Sequence, residues 1–366
     1  MAEIISTNEE LTDELVSSEV VETETCNTGV QIKAETNDIE HKTIYEMLEA
    51  DIMNSDLPLK EKNKRLSKLI RMREKQVNIL LVGATGSGKS STVNALFNME
   101  VAKVGVGVDP ETAEITSYTL SNLIIWDTPG LGDSVENDER YNLMLTKKLS
   151  ETDDEGNLLI DLVLIVLDSS TKDLRTTIDL INDTIVPCLG DDAPGRILVG
   201  LNQADVAMKG KHWDFDANEP DEVLIDFLER KAESVRERIN NSTELKIEPV
   251  YYCAGYKEEN GEQCKPYNLA KLLYYIIKSI PAEKRLGIAD NINKDEAVWI
   301  HTDNRKNYTE EIKNSFWDTL SDYIAESAAD AGLVGERILG VPGKYVGFFI
   351  GGLFGLGKGL FHSIVD

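Results

Sequence analysis

Between residues 76 and 281 short apolar runs alternate with longer amphipathic stretches. The runs at 77–82, 115–120, 123–126, 158–167, 196–201 and 249–253 are rich in leucine and β-branched residues and predict strands. Stretches near 89–98, 137–151, 173–187, 221–240 and 267–280 carry the helical period. The alternation predicts an α/β fold, a mostly parallel sheet with helices on both faces. Only Ser121-Asn122 separates the second run from the third, so that pair is predicted to be an antiparallel hairpin.

The flanks differ. Residues 1–41 hold many carboxylates against the single Lys33 and show no sustained apolar period, which predicts a disordered acidic tail. Residues 42–75 predict two helices. Thr43-Ile44-Tyr45-Glu46 fits a capping box, and Ile44, Met47, Leu48 and Ile52 share one face of the first. The second, lysine- and arginine-rich from 58 to 75, is expected to turn Leu59, Leu66, Leu69 and Ile70 inward. After the α/β region of 76–281, residues 282–366 are predicted helical, with Ile312, Phe316, Leu320, Tyr323 and Ile324 as one apolar stripe.

The densest chemistry follows the first strand, in Gly83-Ala84-Thr85-Gly86-Ser87-Gly88-Lys89-Ser90. A polyanion needs successive backbone N–H groups aimed at it, which requires glycines free to take positive φ and a helix N-terminus behind them. The spacing predicts a loop that binds a nucleoside triphosphate through Gly83, Thr85, Gly86, Ser87, Gly88, Lys89, Ser90 and Ser91. Lys89 would reach the β and γ phosphates and the Ser90 hydroxyl would ligate Mg²⁺.

A second motif, Asp127-Thr128-Pro129-Gly130-Leu131-Gly132-Asp133, continues the third strand. Its Asp127 is placed to hold Mg²⁺, and the Gly130 N–H to meet the γ-phosphate, so that one phosphate sets the path of the next loop. Between the motifs lies a glycine-rich segment with Thr112 as the first choice for a further hydroxyl on Mg²⁺ and the γ-phosphate. Thr116 is the rival, and spacing alone does not choose between them. Later strand ends should read the base. Asn202-Gln203-Ala204-Asp205 offers a carboxylate, Asp205, able to accept from guanine N1 and N2, a donor pair adenine lacks. Cys253-Ala254-Gly255 offers the Ala254 N–H to guanine O6.

In this order the five segments resemble the guanine-nucleotide motifs of the Era, TrmE and septin class of GTPases, most closely the bacterial YfjP and YeeP type. The resemblance covers roughly residues 76–285 and includes Trp213 shortly after the base loop. It implies a Ras-like fold, GTP and GDP as ligands, Mg²⁺, slow hydrolysis to GDP and phosphate, and a conformational switch. Catalysis would rest on Lys89, Thr112 and Gly130, and the metal on Ser90, Thr112 and Asp127. Asn202, Gln203, Asp205, Cys253 and Ala254 would hold the base.

The chain departs from the class in places. Gln203 replaces a lysine whose stem packs on the base, and Gly255 replaces another lysine, which predicts weaker grip on guanine. Gly86 stands where potassium-activated members carry asparagine, so potassium activation is not expected. Leu131 stands where Ras-type enzymes place a water-orienting glutamine, so a second subunit or partner would have to supply that help. Arg140, Lys172 and Arg175 are candidates by position only, in a chain whose charged residues are mostly solvated.

The charge balance, 65 acidic against 38 basic residues and a net -27, repels a nucleic-acid backbone and argues against a protein that clamps RNA or DNA. That includes the ribosome-binding role known in the class. Four dispersed cysteines and an N-terminus without the basic and apolar regions of a secretory signal predict a cytoplasmic protein. Within 340–364, Gly343, Gly347, Gly351, Gly355 and Gly359 recur every fourth residue. Three readings stay open for this stripe: a tail that inserts into a membrane or lies on its inner face, a helix packed against the chain's own helices or those of a homodimer, and a disordered tail.

Overall fold

The computed structural model describes residues 43–97, 115–131, 135–172, 174–256, 265–329 and Leu353. The acidic tail, Thr112 with its glycine-rich segment, Gly132-Asp133 and the stripe glycines Gly343, Gly347, Gly351, Gly355 and Gly359 lie outside them.

Thr43 opens α1 (Ile44–Asn54) with both halves of the capping box in place, and Ile44, Met47, Leu48 and Ile52 are buried as the period required. Helix α2 (Leu59–Glu74) corrects the expected phase: it buries Glu61, Arg65, Leu69 and Met72. Leu59 and Ile70 are 73% and 55% exposed. The reason is polar. Arg65 Nε pairs with Glu61 one turn back at 3.2 Å, and the Arg65 carbonyl accepts from the Tyr323 hydroxyl at 2.7 Å, so the helix turns its Glu61–Arg65 edge inward.

The central strand β1 (Val77–Val82) is buried along its whole length, as a strand covered on both faces must be. It feeds α3 (Lys89–Phe97). Next come the edge strand β2 (Thr116–Thr119) and β3 (Leu123–Asp127), antiparallel as expected, with Thr119 opposite Ile124. Helix α4 (Val135–Leu149) leads to β4 (Leu162–Asp168). That strand starts four residues later than the apolar run, because Leu158 is used in an isolated bridge to Thr152.

The helix expected at 173–187 forms as one continuous helical stretch from Arg175 to Leu189 with a wide turn inside it. The chain runs through α5 (Arg175–Leu180), a wide π-type turn over Ile181–Ile185, α6 (Val186–Leu189) and, after Gly190, α7 (Ala193–Arg196). Pro187 has no N–H to donate, and its ring would press on the carbonyl four residues back. Widening the turn just ahead relieves that clash.

Strand β5 (Ile197–Asn202) is followed by a two-residue hairpin, β6 (Trp213–Asp214) with β7 (Glu219–Pro220). The hairpin is held by Trp213 meeting Tyr267 edge-on at 5.3 Å. Helix α8 (Glu222–Thr243) starts on Asp221, whose carboxylate accepts from the Val223 and Leu224 amides. Strand β8 (Val250–Tyr251) and helices α9 (Leu269–Ser279), α10 (Leu286–Ala289) and α11 (Tyr308–Ala329) complete the described chain.

The strand order is β2-β3-β1-β4-β5-β8, all parallel except β2. The sheet therefore carries its loops from β1, β3, β4, β5 and β8 to one end. The helical additions fasten to it by specific bonds. Asn293 donates to the Ala95 and Leu96 carbonyls at 2.9 Å. Lys284 pairs with buried Asp161 at 2.8 Å, and Asp290 caps α1 through the Ile44 N–H at 2.8 Å. Ile312, Phe316, Leu320 and Tyr323 of α11 are buried. Among the described residues no helix is long and apolar enough to cross a membrane.

Candidate functional site

Strand β1 lies between β3 and β4 in the middle of the sheet and runs into the turn that leads to α3. Gly86 and Gly88 in that turn sit at φ 78° and 88°, the left-handed region that a β-carbon disfavours. Gly88 has a second reason to be glycine: a β-carbon there would coincide with the Asn202 side-chain amide. Lys89 folds back over the loop, its Nζ donating to the Gly83 carbonyl at 2.9 Å and to that of Ala84 at 3.3 Å. Ser90 follows in the first turn of α3, half-buried.

Asp127 ends β3 beside this loop. Burial pushes its carboxyl pKa up while the Lys89 ammonium pulls it down; burial lowers Lys89 while Asp127 raises it. Each is the other's named charge partner. Asp127 Oδ1 and Ser87 Oγ are buried with no hydrogen-bond partner among the described residues. A buried carboxylate oxygen left unpaired is costly unless something occupies it, and a hard cation that prefers oxygen ligands suits it. Mg²⁺ thus fits the donors Asp127 and Ser90.

The chain after Asp127 is pinned to the phosphate loop. The Thr128 hydroxyl donates to the Leu81 carbonyl at 2.7 Å and meets the Tyr141 hydroxyl at 2.9 Å. The Leu131 N–H reaches the Gly83 carbonyl at 3.4 Å. A β-carbon on Gly130 would fall on the Thr85 hydroxyl and within 2.7 Å of Thr85 Cα, so only glycine allows this approach. Leu131 itself is packed in the core and offers no group to water.

The base side is assembled by Asn202. Its Nδ2 donates to the Ser87 carbonyl at 3.0 Å, and its Oδ1 accepts from the Ala254 N–H at 3.0 Å. One side chain thereby ties the phosphate loop to the loop after β8. Gln203, held at φ 60°, adds a bond from Nε2 to the Gly86 carbonyl at 2.7 Å. Asp205 is buried in the short turn Ala204–Val206, whose first amide bonds the Tyr252 carbonyl at 3.2 Å. Tyr252 in turn holds Thr92 of α3, hydroxyl to hydroxyl at 2.7 Å.

A family model described as "50S ribosome-binding GTPase" matches residues 78–203. Those residues carry the loop, Asp127, Gly130, Asn202 and Gln203. They form a P-loop GTPase domain of the Era and septin class. Septin-12 of Homo sapiens is 38% identical over 82 residues, covering 19% of this chain and 23% of that protein. Septin homolog spn1 of Schizosaccharomyces pombe is 36% identical over 85 residues, covering 19% and 18%. The matches thus span about a quarter or less of the curated relatives.

Among solved structures, Toc33 from Arabidopsis thaliana is 20% identical, with a TM-score of 0.38 over 64% of this chain and 93% of that one. Era from Aquifex aeolicus is 19% identical, with a TM-score of 0.35 over 57% of each. Likenesses of this size carry no weight beside the matched motifs and strand order.

The GTPase domain brings together Gly83, Thr85, Gly86, Ser87, Gly88, Lys89, Asp127, Gly130, Asn202, Gln203 and Ala254 through the bonds and close approaches above, with Ser90 next to Lys89 in the first turn of α3. Ser91 lies in the same first turn of α3. Cys253 pairs with Tyr267 through backbone bonds at 2.9 and 3.0 Å, in an isolated antiparallel bridge. Thr112 lies outside the described residues, and Thr116 belongs to β2, as its β-branched run implied. Arg175 is 83% exposed and pairs with Asp179 at 3.4 Å, a solvated pair. Thr92, Tyr141 and Tyr252 were not foreseen; a hydroxyl three residues after the loop lysine was the available signal.

Proposed function

We propose that the chain binds GTP and hydrolyses it to GDP and phosphate with Mg²⁺, slowly, and that the γ-phosphate sets the conformation of segments 101–116 and 130–140. The carrying observation is the buried Lys89 ammonium turned onto the loop carbonyls, with the unpartnered Asp127 oxygen beside it. A triphosphate tail gives that ammonium anionic oxygens in place of carbonyls, and the loop amides share its charge. Ser90 and Asp127, with Thr112, would hold Mg²⁺, which neutralises charge on the β and γ oxygens.

Asp205 accepts from guanine N1 and N2, while Asn202 braces the pocket. The O6 contact requires the Ala254 N–H to share or release its bond to Asn202. Titration of GTP, ATP and xanthosine triphosphate against wild type and Asp205→Asn tests the base reading. Guanine preference in the wild type, shifting toward xanthine in the variant, supports it; equal ATP and GTP affinity would falsify it.

Leu131 favours a second reading, a nucleotide-dependent assembly module with little hydrolysis, because the position after Gly130 is sealed in the core. Single-turnover GTP cleavage at rising protein concentration separates the two. A rate that climbs with concentration supports help from a second copy across the nucleotide. GTP bound and never cleaved, with or without liposomes, supports the module.

A further inference from the structure

Beside the base-reading end of the sheet a groove of about 1060 Å³ opens between the loop after β4, the segment after Asp205 and helix α8. Leu174, Met208, Phe227 and Val235 form its apolar lining. Around them stand Lys172, Lys209, Lys211, Arg230, Lys231 and Arg238, and no Asp or Glu is among the described residues that line it. On a molecule with 65 acidic and 38 basic residues this concentration of positive charge runs against the surface as a whole.

Two of the six cations have structural work. Lys231 donates to the carbonyls of Ser169 and Thr171 at 2.5 Å, fixing the loop after β4, and Arg230 pairs with Asp226 at 3.6 Å. The side chains of Lys172, Lys209, Lys211 and Arg238 make no hydrogen bond or ion pair among the described residues, and all four are exposed. Like charges gathered without counter-charge repel one another, which is tolerated where an anionic partner supplies the compensation.

We propose that this groove binds an acidic, amphipathic peptide segment of a partner protein, its carboxylates on the four uncompensated cations and its apolar side chains on Phe227 and Met208. Charge complementarity and the apolar lining select this occupant together. A nucleic-acid backbone offers nothing to the lining, and its length would carry it onto the anionic surface beyond the groove, where repulsion resumes. A bilayer is flat where this surface is concave. The proposal does not depend on nucleotide binding.

The test is selection of a displayed random-peptide library on the full chain, followed by anisotropy titration of the recovered peptides. The controls are Lys209→Glu/Lys211→Glu/Arg238→Glu and the charge-conserving Lys209→Arg/Lys211→Arg. All substituted residues are exposed, and matching thermal melts establish that the variants are folded. The expected result is enrichment of peptides combining several Asp or Glu with leucine or an aromatic. Their affinity should fall at least about tenfold in the charge-reversed variant, be kept in the arginine variant, and weaken with added salt. No enrichment, peptides without acidic bias, or equal binding to the charge-reversed variant overturns the proposal. So does charge-dependent retention of a labelled DNA duplex or of phosphatidylglycerol vesicles in place of acidic peptides.

Discussion

Replacing Asn202 with alanine removes the side chain that ties the phosphate loop to the loop after β8. Asn202 is 2% exposed, and its two bonds, to the Ser87 carbonyl and from the Ala254 amide, are both 3.0 Å and buried. Truncation leaves that carbonyl and that amide without partners, at about 1–3 kcal/mol each, so a loss of about 2–6 kcal/mol is expected. Gln203→Ala is the internal control: its bond to the Gly86 carbonyl is exposed and water can replace it, so about 1 kcal/mol or less should be lost. Urea unfolding followed by tryptophan fluorescence reads both, as midpoint shifts at constant slope. The Asn202 amide also fills the space a Gly88 β-carbon would need, so Gly88→Ala should be less harmful in the Asn202→Ala background. A loss under about 1 kcal/mol for Asn202→Ala, or equal losses for the two single variants, would refute the bracing role.

Three further outcomes are expected. Gly130→Ala forces the chain away from Thr85 and should destabilise by about 1–3 kcal/mol, with weaker GTP binding, both measurable by thermal melts with and without nucleotide. Leu69→Ala on the buried face of α2 should lose about 2–5 kcal/mol, whereas Leu59→Glu and Ile70→Glu on its exposed face should change unfolding by about 0.5 kcal/mol or less. Asp290 gives a pH signature. Burial pushes its carboxyl to about 6 from 3.8, with Glu46 adding to the rise and the Ile44 N–H and Lys294 opposing it. Folding therefore favours the protonated acid; this contribution is complete below about pH 4 and lost as pH rises through about 6, a difference of about 3 kcal/mol. Asp290→Asn, which keeps an acceptor for the Ile44 amide, should melt above wild type at pH 7.5 and lose that advantage toward pH 4.

The motifs were legible because phosphate binding leaves little freedom: glycines at φ 78° and 88°, a lysine and a hydroxyl at fixed spacing allow few sequences. The parallel sheet was legible from runs long enough to be buried on both faces. What escaped depended on partners distant in sequence. Nothing local tells α2 that Tyr323 will take the Arg65 carbonyl and turn Leu59 outward. The widened turn at Ile181–Ile185 needs the clash of Pro187 with the preceding turn, not periodicity, and the hairpin around Trp213 is too short to show alternation. Gln203, taken as a shortened base-packing residue, is a bond to the phosphate loop because its backbone enters the left-handed region, which side-chain length does not reveal.

The most direct measurement is calorimetric titration of GTP with Mg²⁺ into wild type and Lys89→Met, alongside thermal melts of both without nucleotide. Removing the Lys89 ammonium takes the partner charge from Asp127 and the donor from the Gly83 and Ala84 carbonyls, so the melts without nucleotide establish that the variant is folded and that a loss of binding reports the site. The expected result is GTP binding by the wild type and a loss of at least about 100-fold, about 2.7 kcal/mol, in a variant that still unfolds cooperatively. No GTP binding by the wild type, or equal binding by Lys89→Met, would contradict the account.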